Sequence, residues 1–332
     1  MSEAIKLSII IVNWNGGELL RRCVESILRH PPGLEYEIII ADNASTDDSL
    51  SSLQSVNESR DRIRLIENCD NLGFAKANNQ AIACSSSPFV FLLNPDTEVR
   101  AGAIDALVAL LQSDAEIGAC APKLIGSDGE LQPNAWLLPP TPLSILVEGL
   151  GLYRLLPKTI RANWLLGRHW DHSERKSVPA FSGAAMMVKR RMIEQIGAFD
   201  ERFRMYGEDG EWCVRMKRNG WLLYLEPAAE VLHFGGQSAM KRWNSRERRL
   251  REVQAHILFQ RSVLPRSSFL LNRLAQAFVA ITLLARRFIR KRPTELLSEV
   301  IGMELGYFKL ELATWLGSKR KDPRFRHDQE WE

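Results

Sequence analysis

The stretch that decides the fold is Pro88 to Val99, PFVFLLNPDTEV. It opens as an unbroken apolar run, Phe89 to Leu93, and stops abruptly at Asn94-Pro95-Asp96-Thr97. A short apolar run bounded by turn residues reads as a strand buried on both faces, most often inside a parallel sheet. In open α/β sheets, ligands collect at the carboxyl ends of such strands. Asp96 therefore stands where a ligand site is expected, and a hard carboxylate there suits an oxygen-ligated divalent cation carrying a diphosphate. The plainer reading is a tight turn that closes a strand.

Working outward, the same design recurs. Leu7 to Val12 is a β-branched run ending at Asn13, and Glu37 to Ala41 is another ending at Asp42-Asn43. Helical spacing follows the first at Leu20, Cys23, Val24, Ile27 and Leu28, and Pro31-Pro32 stops it. A polar helix is expected from about Ser49, a third strand at Arg62–Ile66, and a helix carrying Asn78 and Asn79 after Asn71-Leu72-Gly73. Strands alternating with helices predict right-handed βαβ units and a parallel sheet. Three strand ends carry an acid or amide, at Asn13, Asp42 and Asp96. No G-x-G-x-x-G or G-x-x-x-x-G-K-[ST] motif occurs, so the usual dinucleotide and P-loop cradles are excluded. Gly16-Gly17 fits either a turn or a close approach to phosphate.

Further on, Ala103–Leu111 reads as a helix and Ser127-Asp128-Gly129 as a turn. Pro139 to Pro142 marks a loop, followed by Leu143, Leu146, Val147, Leu150, Tyr153 and Leu156 on one helical face, with Trp136, Trp164 and Trp170 expected around it. That face suits a lipid or sugar acceptor, or simply a small satellite core. His169 and His172 lack the partners of a metal site. Ala180 to Val188 is a strand of small residues whose Gly183 permits close backbone approach. A helix over Arg191–Ile196 ends at Gly197, and another starts at Glu208. Its first-turn acids Glu208, Asp209 and Glu211 either answer the helix dipole or accept a proton from a hydroxyl. His233 ends one more apolar run before Gly235-Gly236, as a core residue or as a ligand of diphosphate or metal.

The 332 residues, 45% apolar and 25% charged, describe an ordinary globular chain with room for one large or two small domains. Five scattered cysteines without a C-x-x-C exclude a disulfide framework or zinc knuckle and fit a reducing cytosol. The first residues carry no signal-peptide pattern, and no run of 18 apolar residues predicts a spanning helix. Residues 241–332 hold 20 Lys and Arg against 10 Asp and Glu, a surface suited to anions. Within them Phe269, Leu270, Leu274, Phe278, Ile281, Leu284 and Phe288 form an apolar stripe beside Asn272, Arg273, Gln276, Arg286, Arg287, Arg290, Lys291 and Arg292. The stripe is read as too short and too charged to span a bilayer. It either lies on a membrane surface or packs on the rest of the chain. The end, residues 319–326, is expected to be flexible. A nucleic-acid-binding protein acting through the tail is the rival class. It predicts salt-sensitive DNA binding and leaves the polar strand ends unexplained.

Taken in order, IIVNWN (10–15), DNASTD (42–47), NLGFAKANN (71–79), LNPDT (93–97), FSGAA (181–185), GAFDERFRMYGEDGE (197–211) and HFGG (233–236) resemble family 2 glycosyltransferases of the GT-A fold, in the rhamnosyltransferase-like branch. The resemblance implies an α/β GT-A domain over residues 1–240, with a mainly parallel sheet flanked by helices; beyond it the family motifs stop, and the charge and apolar spacing of 241–332 predict a basic amphipathic helical extension. The resemblance implies an inverting transferase that uses a nucleotide-sugar donor, dTDP-rhamnose or else a UDP-hexose. The acceptor would be a saccharide or a polyprenyl-diphosphate-linked one in cell-surface polysaccharide synthesis. It places Asn13, Asp42, Asn43, Asn71, Gly73, Lys76, Asn79, Asn94, Asp96 and Gly183 on the donor, Asp96 and His233 on Mg²⁺ or Mn²⁺, Asp209 as the catalytic base, and Glu208 and Trp212 on the acceptor. The family's D-x-D reads Asn94-Pro95-Asp96 here, with an amide for one carboxylate. A cytoplasmic location is expected, with an anionic membrane surface as a possible partner and no nucleic acid.

Overall fold

A computed structural model describes residues 5–53, 61–203, 205–235, 244–289 and, of 298–309, all but 304 and 307. Gly236, residues 240–242, residues 290–292 and the stretch 319–326 lie outside the described residues. Contacts divide the chain into two units, one of residues 1–138 with 162–243, the other of 139–161 with 244–332.

The first unit is built on strands β1 (Leu7–Asn13), β2 (Tyr36–Asp42), β3 (Ile63–Glu67), β4 (Phe89–Leu93), β5 (Thr97–Val99), β6 (Ile117–Ile125), β7 (Leu131–Gln132), β8 (Ala135–Trp136), β9 (Lys176–Ser177), β10 (Ala180–Phe181), β11 (Ala185–Lys189) and β12 (Leu222–His233). The main sheet runs β3-β2-β1-β4-β11-β6-β12-β5, and β8 pairs separately with β10. The first four strands are parallel, as the alternating pattern predicts. β11 then enters antiparallel to both β4 and β6, which makes the sheet mixed. The expected single strand over Ala180–Val188 is broken at Ser182–Ala184 into β10 and β11. Ser182 N–H donates to Asn134 O, and Gly183 N–H donates to a side chain, so neither continues the ladder.

Alternation along β1 explains how both faces fill. Ile9 and Ile11 pack with Leu20, Cys23, Val24 and Ile27 of helix α1 (Glu18–Arg29). Ile10 and Val12 turn to the opposite layer, because successive Cβ atoms alternate sides. Helix α2 (Ser49–Ser52) is a short turn, and α3 (Phe74–Ala83) sets Ala75, Ala77 and Ala81 against Ile10 and Ile39. Helix α4 (Ala103–Ser113) joins the α1 layer through Ile104, Leu107 and Leu111. Each such fully buried Ile or Leu contributes about 1.5–3 kcal/mol.

β12 has a further irregularity. It pairs with β6 up to Glu226↔Pro122 and resumes at Glu230↔Lys123, so Pro227, Ala228 and Ala229 have no partners in that ladder. Proline is tolerated at such a bulge because it has no N–H to give. Buried Glu226 holds the bulge, accepting from Ala228 N–H at 3.1 Å and from Arg175 Nε at 2.5 Å.

The second unit contains α5 (Pro142–Gly149) and α6 (Lys158–Ile160). Helices α7 (Arg190–Ile196) and α8 (Glu208–Arg218) return to the first unit, and α9 (Ser245–Val263) and α10 (Arg266–Ile289) belong to the second. Thr141 caps α5 in a capping box with Ser144. Ile145 packs with Ala275 and Val279 of α10, so part of the predicted apolar face is a satellite core. Trp170 instead lies in the core of the first unit, stacked on His172 at 4.3 Å. At 24 residues, α10 is long and apolar enough to cross a membrane by length and composition, contrary to the expectation that it is too short.

Candidate active site

The strand ends meet at one edge of the first unit. Asn13 Nδ2 donates to Asp42 Oδ1 at 2.8 Å, because β1 and β2 are in register there. Asp42 also accepts from Ser45 N–H at 2.8 Å and Ser45 Oγ–H at 2.6 Å. A carboxylate offers about four acceptor positions, so one remains for a ligand. Asn43 Nδ2 reaches Gly73 O at 3.3 Å, and Gly73 N–H donates to Asn71 Oδ1 at 3.0 Å. Asn13, Asp42, Asn43, Asn71 and Gly73 thus form one corner.

The Asn94-Pro95-Asp96 turn is closed by Thr97 Oγ1–H donating to Asn94 O at 2.7 Å. β5 then pairs antiparallel with β12, with Thr97 opposite His233. Phe234 N–H donates to Asp96 O at 2.9 Å, and His233 Nε2 lies 3.4 Å from Asp96 Oδ1. The other ring nitrogen, Nδ1, is 2.7 Å from Gln132 Oε1 on β7. An amide oxygen only accepts, so Nδ1 carries the proton and, in the neutral imidazole, Nε2 turns its lone pair toward the carboxylate. Nε2 is buried with no hydrogen-bond partner. A ring nitrogen and a carboxylate oxygen this close are a donor pair suited to a cation. Among the described residues no group of three or more His, Cys, Asp or Glu could hold a metal.

The second carboxylate is linked to the first through the backbone. Asn94 N–H donates to Ala184 O at 2.9 Å, and the neighbouring Gly183 N–H donates to Asp209 Oδ2 at 2.9 Å. Asp209 Oδ1 accepts from Gly210 N–H at 2.7 Å. A Cβ on Gly183 would come within 3.3 Å of Asp209 Cβ, closer than most side chains tolerate. Tyr206 and Gly207, with φ 67° and 92°, turn the chain sharply into α8 and aim its first residues at this point. The site thereby holds strained backbone at Tyr206.

Glu208 is buried and Asp209 half-buried, and desolvation pushes both carboxyls above the usual range; the Asp209 charge adds to the rise at Glu208. Asp209 has two backbone N–H donors to hold a negative charge, whereas Glu208 Oε2 has none. The pair therefore keeps a proton on Glu208 and the charge on Asp209. A raised carboxyl holds its proton in the folded chain after the unfolded chain has lost it. Stability then falls as pH rises above the ordinary glutamate range, by up to about 1.4 kcal/mol per pH unit. Glu208→Gln is expected to flatten this decline, which thermal melts across neutral pH will read; parallel profiles for both proteins would refute it.

Other sequence-predicted residues lie elsewhere. Asn79 clamps Phe199, donating to its carbonyl and accepting from its N–H at 2.9 Å each. Lys76 is exposed on α3. Trp212 is wholly buried, tilted on Phe199 at 4.4 Å with Nε1–H on Gly197 O at 3.0 Å, so it supports α8 from within the core and offers no acceptor surface. His172 is buried too, its Nδ1 3.0 Å from Trp170 O. Gln132 was not foreseen; its only sequence signal is the Ser127-Asp128-Gly129 turn, which folds β7 back beside the end of β6.

A mixed sheet flanked by helices, with its polar strand ends gathered at one edge, is the architecture of the GT-A glycosyltransferase fold. The model of the family "Glycosyl transferase family 2" matches residues 8–197, and the chain belongs to that family. It is a glycosyltransferase of polysaccharide synthesis. It is 30% identical over 246 residues to N-acetylglucosaminyl-diphospho-decaprenol L-rhamnosyltransferase of Mycobacterium tuberculosis, covering 70% of this chain and 77% of that one. It is also 30% identical over 216 residues to the low-salt glycan biosynthesis hexosyltransferase Agl10 of Haloferax volcanii, covering 64% and 62%. Among solved structures, the Pyrobaculum calidifontis mannosyltransferase PcManGT with GDP-Man and Mn²⁺ superposes with a TM-score of 0.57 at 18% identity, covering 96% of this chain and 84% of that one. GalNAc-T7 with UDP, GalNAc and Mn²⁺ gives 0.52 at 19%, covering 69% and 43%. At such identities these two show the fold.

Proposed function

We propose that the chain transfers L-rhamnose from dTDP-rhamnose, with inversion, to a saccharide carried on a polyprenyl diphosphate, at the cytoplasmic side of the membrane. The observation that carries the transferase chemistry is the backbone link Asp96–Asn94–Ala184–Gly183–Asp209, which sets two carboxylates at one sheet edge. The sugar and acceptor rest on the mycobacterial relative.

The corner of Asn13, Asp42, Asn43 and Gly73 receives the nucleotide. Asp96 and His233 fit a Mg²⁺ or Mn²⁺ ion, because an orphaned imidazole nitrogen faces a carboxylate there. Magnesium commonly takes one or two protein ligands and completes its shell with substrate phosphate and water. Such a cation offsets the charge that gathers on a departing diphosphate. Asp209 takes the proton from the acceptor hydroxyl as its oxygen attacks the anomeric carbon, and a single displacement inverts that centre. Glu208, protonated, keeps the neighbourhood from carrying two negative charges.

A panel of dTDP- and UDP-sugars with Mn²⁺, scored by thermal shift and then by transfer, tests the donor. Stabilisation by dTDP-rhamnose above all others is expected; a response only to a UDP-hexose would overturn the sugar assignment. Gln132 supplies a second test. Gln132→Leu removes the acceptor that fixes the His233 tautomer, and outer partners of this kind are worth about 10–100-fold in metal affinity. The Mn²⁺ concentration needed for half-maximal donor binding should rise by that factor while metal-free donor binding stays constant. An unchanged Mn²⁺ titration would count against the arrangement.

A further inference from the structure

Helix α10 is apolar on two sides: Phe269, Ala275, Ala277, Val279 and Ala280 are buried, and a second apolar file faces outward. Its protein-facing side holds two polar residues, Asn272 and Arg273, both wholly buried. Asn272 Nδ2 donates to Pro140 O at 2.8 Å and to Gln260 Oε1 of α9 at 2.9 Å, and the Arg273 guanidinium lies 5.2 Å from the Phe269 ring centre. Its outward side carries Leu271, Leu274, Phe278 and Ile281, each between 47 and 56% exposed. Spacings of three, four and three place these four in one file of about 15 Å along the helix. The helix has no charged residue between Arg273 and Arg286. A water-facing helix side normally carries charge, and a contiguous exposed apolar file marks an interaction surface.

Charge says what covers it. Residues 253–294 contain eight Lys and Arg and no Asp or Glu. The apolar file is thus bracketed by cations, with Arg266 and Arg286 both exposed. An apolar face with a cationic surround fits an anionic lipid surface, where hydrocarbon takes the file and phosphate takes the arginines. The helix lies along such a surface rather than through it. Its other side is committed to protein, with Asn272 and Arg273 buried and bonds to α9, a helix that itself carries Arg246, Arg248, Arg249 and Arg251. Charges of that density do not enter hydrocarbon.

We infer that the outward face of α10, with Leu271, Leu274, Phe278 and Ile281 at its centre, docks the protein on the surface of an anionic bilayer. The inference stands on this helix and not on the transferase assignment, since vesicle binding needs no donor.

Co-sedimentation of the full chain with vesicles tests it, using phosphatidylcholine alone and phosphatidylcholine mixed with phosphatidylglycerol. Each basic residue near an anionic surface contributes about 1 kcal/mol, so partitioning onto the mixed vesicles is expected to exceed that onto phosphatidylcholine by about tenfold or more. High salt should shrink that difference by screening. The double substitution Leu274→Ser with Phe278→Ser is expected to lower partitioning by about tenfold or more at any salt. Both side chains point outward, and donor-induced thermal stabilisation of the variant should equal that of the unsubstituted protein. Wild-type protein left in the supernatant with both vesicle types would overturn the inference, as would a double variant that pellets like wild type. Sedimentation velocity distinguishes the other occupant: a wild-type dimer that the double substitution makes monomeric, without vesicle binding, would assign the face to a second copy of the chain.

Discussion

Replacing Asp209 with Asn is expected to lower sugar transfer by about 10²–10⁴-fold, the range of a positioned general base, and to leave donor binding in place. The substitution preserves shape and removes basicity. Asp209 now accepts one backbone N–H on each oxygen, from Gly183 and Gly210. An asparagine has a single acceptor oxygen, so one of those N–H groups would face the new NH₂. That mismatch costs about 1–3 kcal/mol of stability, and a lower melting temperature should accompany the lost rate. Donor-induced stabilisation should persist, because the nucleotide corner is on other strands. Single-turnover assays with donor and acceptor saturating read the chemistry directly. Transfer within a few-fold of wild type would remove Asp209 from the role of base.

The second large effect is expected for Asp96→Ala. It deletes the carboxylate that faces His233 Nε2 and leaves the imidazole held by Gln132. Outer partners of metal ligands are worth about 10–100-fold, so losing a direct ligand should weaken Mn²⁺-dependent donor binding by about a hundredfold or more. Titration calorimetry with and without Mn²⁺ separates this from loss of the fold. The variant's donor affinity should become the same in both conditions, close to the metal-free affinity of the wild type. A Mn²⁺ enhancement that survives in the variant would show that Asp96 binds no metal.

Much of this arrangement could be read from the chain. Buried parallel strands show as apolar runs, so Leu7–Val12, Glu37–Ala41 and Phe89–Leu93 announced both themselves and the polar residues at their ends. The first turn of α8 was legible because acids gather at helix starts. What escaped depends on pairing. An apolar run of five residues looks the same whichever way it runs, so the antiparallel entry of β11 between β4 and β6 was not visible. The meeting of His233 with Asp96 needs a ladder formed by the three-residue strand Thr97–Val99, too short to carry a period. Gln132 is one amide in a hairpin. Asn79 ends one family-like block and Trp212 directly follows another, yet their polar atoms are taken up by the backbone at Phe199 and Gly197. The outward face of α10 was half visible: its apolar stripe was plain, but which residues faced water was a matter of tertiary packing.

The looped-out residues Pro227 to Ala229 give β12 two jobs on one strand. The portion before them is registered by the core, and the portion after them delivers the imidazole to Asp96. The segments on either side of the loop are held by their own pairings, Glu226 with Pro122 before it and Val231 to His233 with Val99 to Thr97 after it, so a residue added or removed within the loop is absorbed there without turning His233 to the other face. Composition there is constrained at Ala229, which is wholly buried among core residues, while Ala228 is exposed. A transferase of this design would tolerate a change in the loop's length, but a bulky side chain at Ala229 would push on the strand that carries His233 without touching any group that meets substrate.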